Sequence, residues 1–156
     1  MPTKVWTIAG VIVLAVAALV LALGHHKPAA AANSSLPLDP YAANLPLSQL
    51  AMSESTSLSG GKSTFVDGHI QNTGGHTVTG IIVQTIFHNE EATPPQVETL
   101  PLTLIRTHEP YVDTEAVSAA PVGPESEREF RLIFETIPAN WNTQMPEIRI
   151  IHVTTK

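Results

Sequence analysis

The 156-residue chain contains no cysteine. That absence excludes disulfides, iron–sulfur clusters, thiolate zinc sites, cysteine nucleophiles and a blue-copper centre, all of which need a sulfur ligand or thiolate. It leaves the compartment open, because an oxidising compartment permits disulfides without requiring them. Basic residues are few, 8 Lys+Arg against 14 Asp+Glu for a net charge of −6, and no Lys/Arg cluster interrupts the excess. A phosphate backbone repels such a balance, so no nucleic-acid partner is expected. Aromatic residues make up only 5%, so any core must be mainly aliphatic. Internal repeats are missing too, and the one low-complexity stretch is the alanine run at residues 29–32.

One long hydrophobic run is present. Residues 5–23 read VWTIAGVIVLAVAALVLAL, 17 of the 19 being apolar, with no charge. A helix of that length spans roughly 28 Å, against ~30 Å for a hydrocarbon core. It has no polar stripe, which argues against a helix lying on the surface, and Trp6 falls where an amphipathic ring suits the interface. A transmembrane anchor over residues 1–24 is therefore expected, with the lipid bilayer as its partner. The rival reading is a cleaved signal peptide with Ala30-Ala31-Ala32 as its cleavage site. Against it stand the length of the run and the insertion of His25-His26-Lys27-Pro28 before the alanines. Only four residues precede the run, and a short N-terminus stays inside, which would place the rest of the chain outside the cytoplasm.

Residues 25–50 carry Pro28, Pro37, Pro40 and Pro46 among Ala, Asn and Ser, and read as a semi-extended tether. Residues 51–156 then show period-two alternation. Val66, Gly68 and Ile70 share one face, with Phe65, Asp67 and His69 on the other, and Asn72-Thr73-Gly74-Gly75 reads as a hairpin turn. Residues 78–88 alternate Ile81, Val83, Thr85 and Phe87 with Ile82, Gln84, Ile86 and His88. Both faces are partly apolar, so a central strand or a covered outer face is expected. Residues 97–105 form the next strand, on an edge because Pro101 cannot donate to a ladder. A weak strand over 111–119, one over 129–135 with Phe130, Leu132 and Phe134 inward, and a last one around Ile148 and Ile150 complete the series. Trp141 reads as a lid on the end of the sandwich or as an exposed recognition aromatic. The expected fold is all-β, a single antiparallel immunoglobulin-like β-sandwich of 6–7 strands preceded by one transmembrane helix.

Two motifs carry a resemblance. Val66-Asp67-Gly68-His69-Ile70-Gln71-Asn72-Thr73-Gly74, followed by the long alternating strand that ends at Phe87-His88-Asn89, and Pro121-Val122-Gly123-Pro124 leading to Phe130, are similar to a pattern of FxLYD-like and DUF2393- or DUF3426-like bacterial domains. The resemblance covers residues 58–153. His88-Asn89 stands where Tyr-Asp is usual, and Gly123-Pro124 replaces Pro-Gly. It implies a small β-sandwich on the extracytoplasmic side of the bacterial cytoplasmic membrane, and it brings no catalytic residues.

Nothing in the sequence points to an enzyme. The seven histidines (His25, His26, His69, His76, His88, His108 and His152) include no H-x-H or H-E-x-x-H spacing. His69 and His88 lie opposite the core faces and could meet across neighbouring strands. Asp113 and Glu115, with Glu109 nearby, share a face but lack a calcium-loop pattern and read as solvated charge. Gly74 to Gly80 lacks the Lys-Ser/Thr of a phosphate loop, and no serine sits in a G-x-S-x-G elbow. No catalytic, cofactor-binding or metal-ligating set is expected. Two functions remain: a non-catalytic module binding another envelope protein, and, as the alternative, a periplasmic small-molecule or His-based metal carrier. The anchor has a direct test, since membranes washed in alkaline carbonate should retain the full-length chain. Recovery of a soluble form beginning near Asn33 would contradict it.

Overall fold

A computed structural model describes residues 34–56, 60–90, 93–137 and 139–156. The expected membrane span, residues 5–23, lies outside the described residues, and among the described residues no helix is long and apolar enough to cross a membrane. Residues 34–156 form one compact all-β unit of eight strands. These are β1 (Leu47–Thr56), β2 (Lys62–Gln71), β3 (Val78–Phe87), β4 (Gln96–Pro101), β5 (Thr103–Thr107), β6 (Asp113–Ala116), β7 (Glu127–Phe134) and β8 (Glu147–Thr155). A five-stranded sheet in the order β1-β2-β7-β5-β6 faces a three-stranded sheet in the order β4-β3-β8, all neighbours antiparallel.

The alternation seen in the sequence fills the space between the sheets. Phe130, Leu132 and Phe134 are buried from β7, Val66 and Ile70 from β2, and Ile81, Val83 and Phe87 from β3. The Phe87 ring meets Phe134 and Trp141 edge-on, at 5.0 and 5.7 Å between centroids, so half-buried Trp141 closes that end of the core. The Trp141 indole N–H is buried without a hydrogen-bond partner among the described residues. Gly68 pairs with Phe130, and a side chain there would come within 2.7 Å of Leu50 and 2.9 Å of the Phe130 ring, so the motif glycine is a packing requirement.

Four expectations change. The tether expected over 25–50 is part of the domain from residue 34 onward. Asp39 caps a 3₁₀ turn, Pro40–Asn44, accepting from the Tyr41 N–H at 2.8 Å, and Leu45 behind it is buried in the core. Asp-Pro at that position is a turn starter, and this local chemistry outweighs the linker-like composition. Second, β1 was not expected as a strand. Gln49, at φ 52°, sits in a bulge between Ser48 and Ala51, so Leu47, Leu50 and Met52 fall out of phase with a period of two. Third, residues 97–105 divide into β4 and β5 in opposite sheets. Pro101 is the last residue of β4, and Leu102, whose N–H still donates to the Ile81 carbonyl of β3 at 3.0 Å, leads the chain into β5. β4 is indeed an edge, and β3 is central with residues 34–36 over its outer face, where Gln84 accepts from the Leu36 N–H at 2.8 Å.

The fourth change concerns residues 72–77, which join strands of different sheets and form no hairpin. Asn72 is the cause. It is fully buried, and its amide donates to the His76 carbonyl at 2.8 Å and the Val122 carbonyl at 3.0 Å. Its Oδ1 accepts from the Gly74 N–H and from the Tyr41 hydroxyl, each at 3.1 Å. Its backbone bonds Ser126 and Glu125, at 2.9 and 2.8 Å. The turn is thereby fastened to the 121–126 segment and to the 3₁₀ turn. Gly74 passes directly beneath Tyr41, where a side chain would overlap the phenol oxygen.

Burial of Phe134 sets a measurable cost. Replacing Phe134 with Ala should destabilise the domain by about 3–5 kcal/mol in urea unfolding. A loss under about 1 kcal/mol would mean that β7 presents its other face to the core.

Candidate functional site

The outer face of the five-stranded sheet carries charged side chains in rows set by strand register. His69 on β2 lies opposite Glu129 on β7, and Asp67 opposite Arg131. His69 Nδ1 is 2.9 Å from Glu127 Oε1, and its Nε2 is 3.6 Å from Glu129 Oε1. His108, just past β5, places Nε2 2.6 Å from Glu129 Oε2. These groups spend their polar atoms on one another. Among the described residues no three His, Asp or Glu are arranged to hold a metal ion.

The neighbouring row is an ion pair with two parallel bonds. Arg131 donates from Nε to Asp67 Oδ1 and from Nη2 to Asp67 Oδ2, both at 2.6 Å, while its guanidinium lies 4.6 Å from the centre of the Phe65 ring. The hydrogen bond that Arg131 donates to Asp67 raises its pKa above the ordinary value, against a smaller opposing effect of burial. The pair is a fixed brace between β2 and β7.

Other residues singled out in the sequence do not come together. His69 is on β2 and His88 follows β3 of the other sheet, where it lies 3.9 Å from Glu147 instead. The possible meeting of the two across neighbouring strands is therefore not formed. Asp113 pairs with Arg106, and Glu115 with Arg128 at 3.1 Å, so the acidic pair faces separate arginines. His76 packs against Tyr41, with ring centres 5.9 Å apart. His25 and His26 lie outside the described residues.

The open side of the sandwich, between β1 and β8, holds a feature that sequence reading missed. A cleft of about 480 Å³ lies there, lined by Leu38, Leu45, Leu47, Leu50, Ile148 and Ile150 among others, with Asp39 as its one charged wall residue. Asp39 is already used, since its Oδ2 accepts from the Val153 N–H at 2.9 Å. Leu38 and Leu50 remain 55% and 38% exposed at the cleft.

The four sheet edges differ in how they are protected. β4 carries Glu98 and ends in Pro101. β6 is four residues long, with Asp113 and Glu115. β8 is covered where the Asp39 N–H donates to the Ile150 carbonyl at 3.0 Å and the Asp39 carboxylate takes the Val153 N–H. These are the usual devices against edge-to-edge pairing. The bulge at Gln49 interrupts β1, but beyond it residues 51–56 run six residues with Glu54 as the one charge and no proline. Among the described residues only β2 pairs with this strand. The signal available in the sequence was Gly60-Gly61 ahead of Lys62, a turn that implies a strand before it, and Gly60 does adopt φ 86°.

Comparison with known families matches residues 43–151 to the family described as "Protein of unknown function (DUF2393)". The chain belongs to that family. Neither the curated proteins nor the solved structures contain a match to it.

Proposed function

We propose that this DUF2393 protein is a non-catalytic binding module of the bacterial envelope. An N-terminal helix over residues 5–23 holds it in the cytoplasmic membrane as a single-pass protein, and its immunoglobulin-like sandwich engages another envelope protein outside the cytoplasm. The observation that supports the reading is the run of β1 that, among the described residues, has no strand on its outer edge, next to a leucine-rich cleft whose one charged wall residue is Asp39. Natural sheets blunt such edges unless something pairs with them, and here the other three are blunted. The chemistry on the page supports it as well: the histidines and carboxylates of the outer face are satisfied by each other or by arginine. A His-based carrier would draw on His69, His108, Glu127 and Glu129, and it has less support because these groups do not converge on one point.

A photo-crosslinking residue installed in the full-length protein in its native membranes tests this reading. In place of Ser53 on β1 it should give a discrete protein adduct, while in place of Thr99 on the β4 edge it should give none. Equal yields from both positions, or none from Ser53, would contradict it.

A further inference from the structure

We infer that the occupant of the β1 edge is an extended, cationic polypeptide strand that adds to the five-stranded sheet as a sixth strand. The inference rests on the binding-module reading and specifies its partner. An unpaired strand edge presents backbone N–H and C=O groups at the spacing of another strand, which a helix or a folded convex surface cannot match. A strand lying along residues 51–56 starts next to Leu50, which lines the opening between β1 and β8. Alternate side chains of that strand point inward, over half-buried Met52 and exposed Leu50, toward the wall containing Ile148. Aliphatic residues at every second position suit that strip.

Charge decides between a second copy of this chain and a different partner. All 14 acidic residues but only six of the eight basic ones fall after residue 33, giving the domain a net charge of −8. Two such domains repel, and a two-fold pairing through residues 51–56 would also bring the two copies of Glu54 close together. At the Thr56 end of the edge, Glu54 and Glu135 border one depression together with Lys62. Neither carboxylate forms an ion pair among the described residues, a state shared with Glu90, Glu98, Glu109 and Glu125, whereas Asp67, Asp113, Glu115, Glu127, Glu129 and Glu147 are paired. Lysine or arginine on the incoming strand completes this set.

The test uses full-length protein in a non-ionic detergent and three blocked ten-residue peptides. The first carries threonine at alternate positions and, on the intervening face, valines with lysine at the positions that fall beside Glu54, since Met52 and Glu54 share one face of β1. The second is the same peptide N-methylated along one backbone edge at alternate residues, and the third has glutamate for lysine. Binding is followed by fluorescence anisotropy, and the bound edge is located by amide hydrogen exchange. The first peptide should bind and slow exchange at alternate amides within residues 51–56. N-methylation should weaken it by about tenfold or more, since it deletes the donors. The glutamate peptide should bind about threefold or more weakly at low salt, and the difference should shrink as salt rises. Equal binding of the N-methylated peptide would overturn strand addition, and equal binding of the glutamate peptide would overturn the cationic partner. Protection elsewhere than β1, or no binding by any peptide, would overturn the inference. The Ser53 crosslink decides separately whether the binding-module reading stands. Protection of β1 that appears with rising protein concentration and no peptide would replace the inferred partner with a second copy.

Discussion

Asn72 is the residue on which the arrangement of the domain depends. Buried without access to water, it must satisfy two amide donors, two acceptor positions and its own backbone inside the protein. It does so by joining three segments distant in sequence: the 72–77 turn, the 121–126 segment and the 3₁₀ turn carrying Tyr41. Only one orientation of the amide works, with nitrogen toward the two carbonyls and oxygen toward the N–H and the phenol. A half-satisfied network of this kind would cost more than an apolar core, so its members hold or fail together.

The edges follow from that knot. Tyr41 is fixed by Asn72, and its turn carries Asp39, whose backbone and carboxylate cover β8. Leu45, at the end of the same turn, enters the core. What would have been a second free edge becomes one wall of the cleft, and β1 forms the other side. The proposed working surface is therefore shaped by a polar anchor at the far end of the same short segment. Fold and proposed function share residues here without sharing chemistry: the knot holds the turn that covers β8, and among the described residues β1 pairs with β2 alone.

Much of the fold was legible in the sequence because burial and strand period coincide. Phe130, Leu132 and Phe134 alternate cleanly and are buried, and Ile82 and Ile86 marked β3 as covered on both faces. Local composition misled where a long-range contact overrode it. Asn-Thr-Gly-Gly is hairpin chemistry, yet neither Gly74 nor Gly75 takes a positive φ, because Asn72 bonds to Val122 and Tyr41 and turns the chain into the opposite sheet. β1 was hidden by its bulge, which shifts Leu50 out of phase, and by its serines, which bury nothing. The candidate site lies on those two illegible elements, β1 and residues 38–45. A surface made of backbone groups and a few leucines leaves no spacing of reactive residues to find.

The most direct test of this account is the variant Asn72→Ala, followed by urea unfolding and by hydrogen exchange over residues 39–45. Several buried or half-buried groups lose partners at once, so a loss of about 3–5 kcal/mol is expected. Amide protection at Asp39, Ala42 and Leu45 should fall more than protection in β7, because the turn is released while the sandwich core remains. A cost under about 1 kcal/mol with unchanged protection over residues 39–45 would show that the turn is held by its own packing, and would contradict the account.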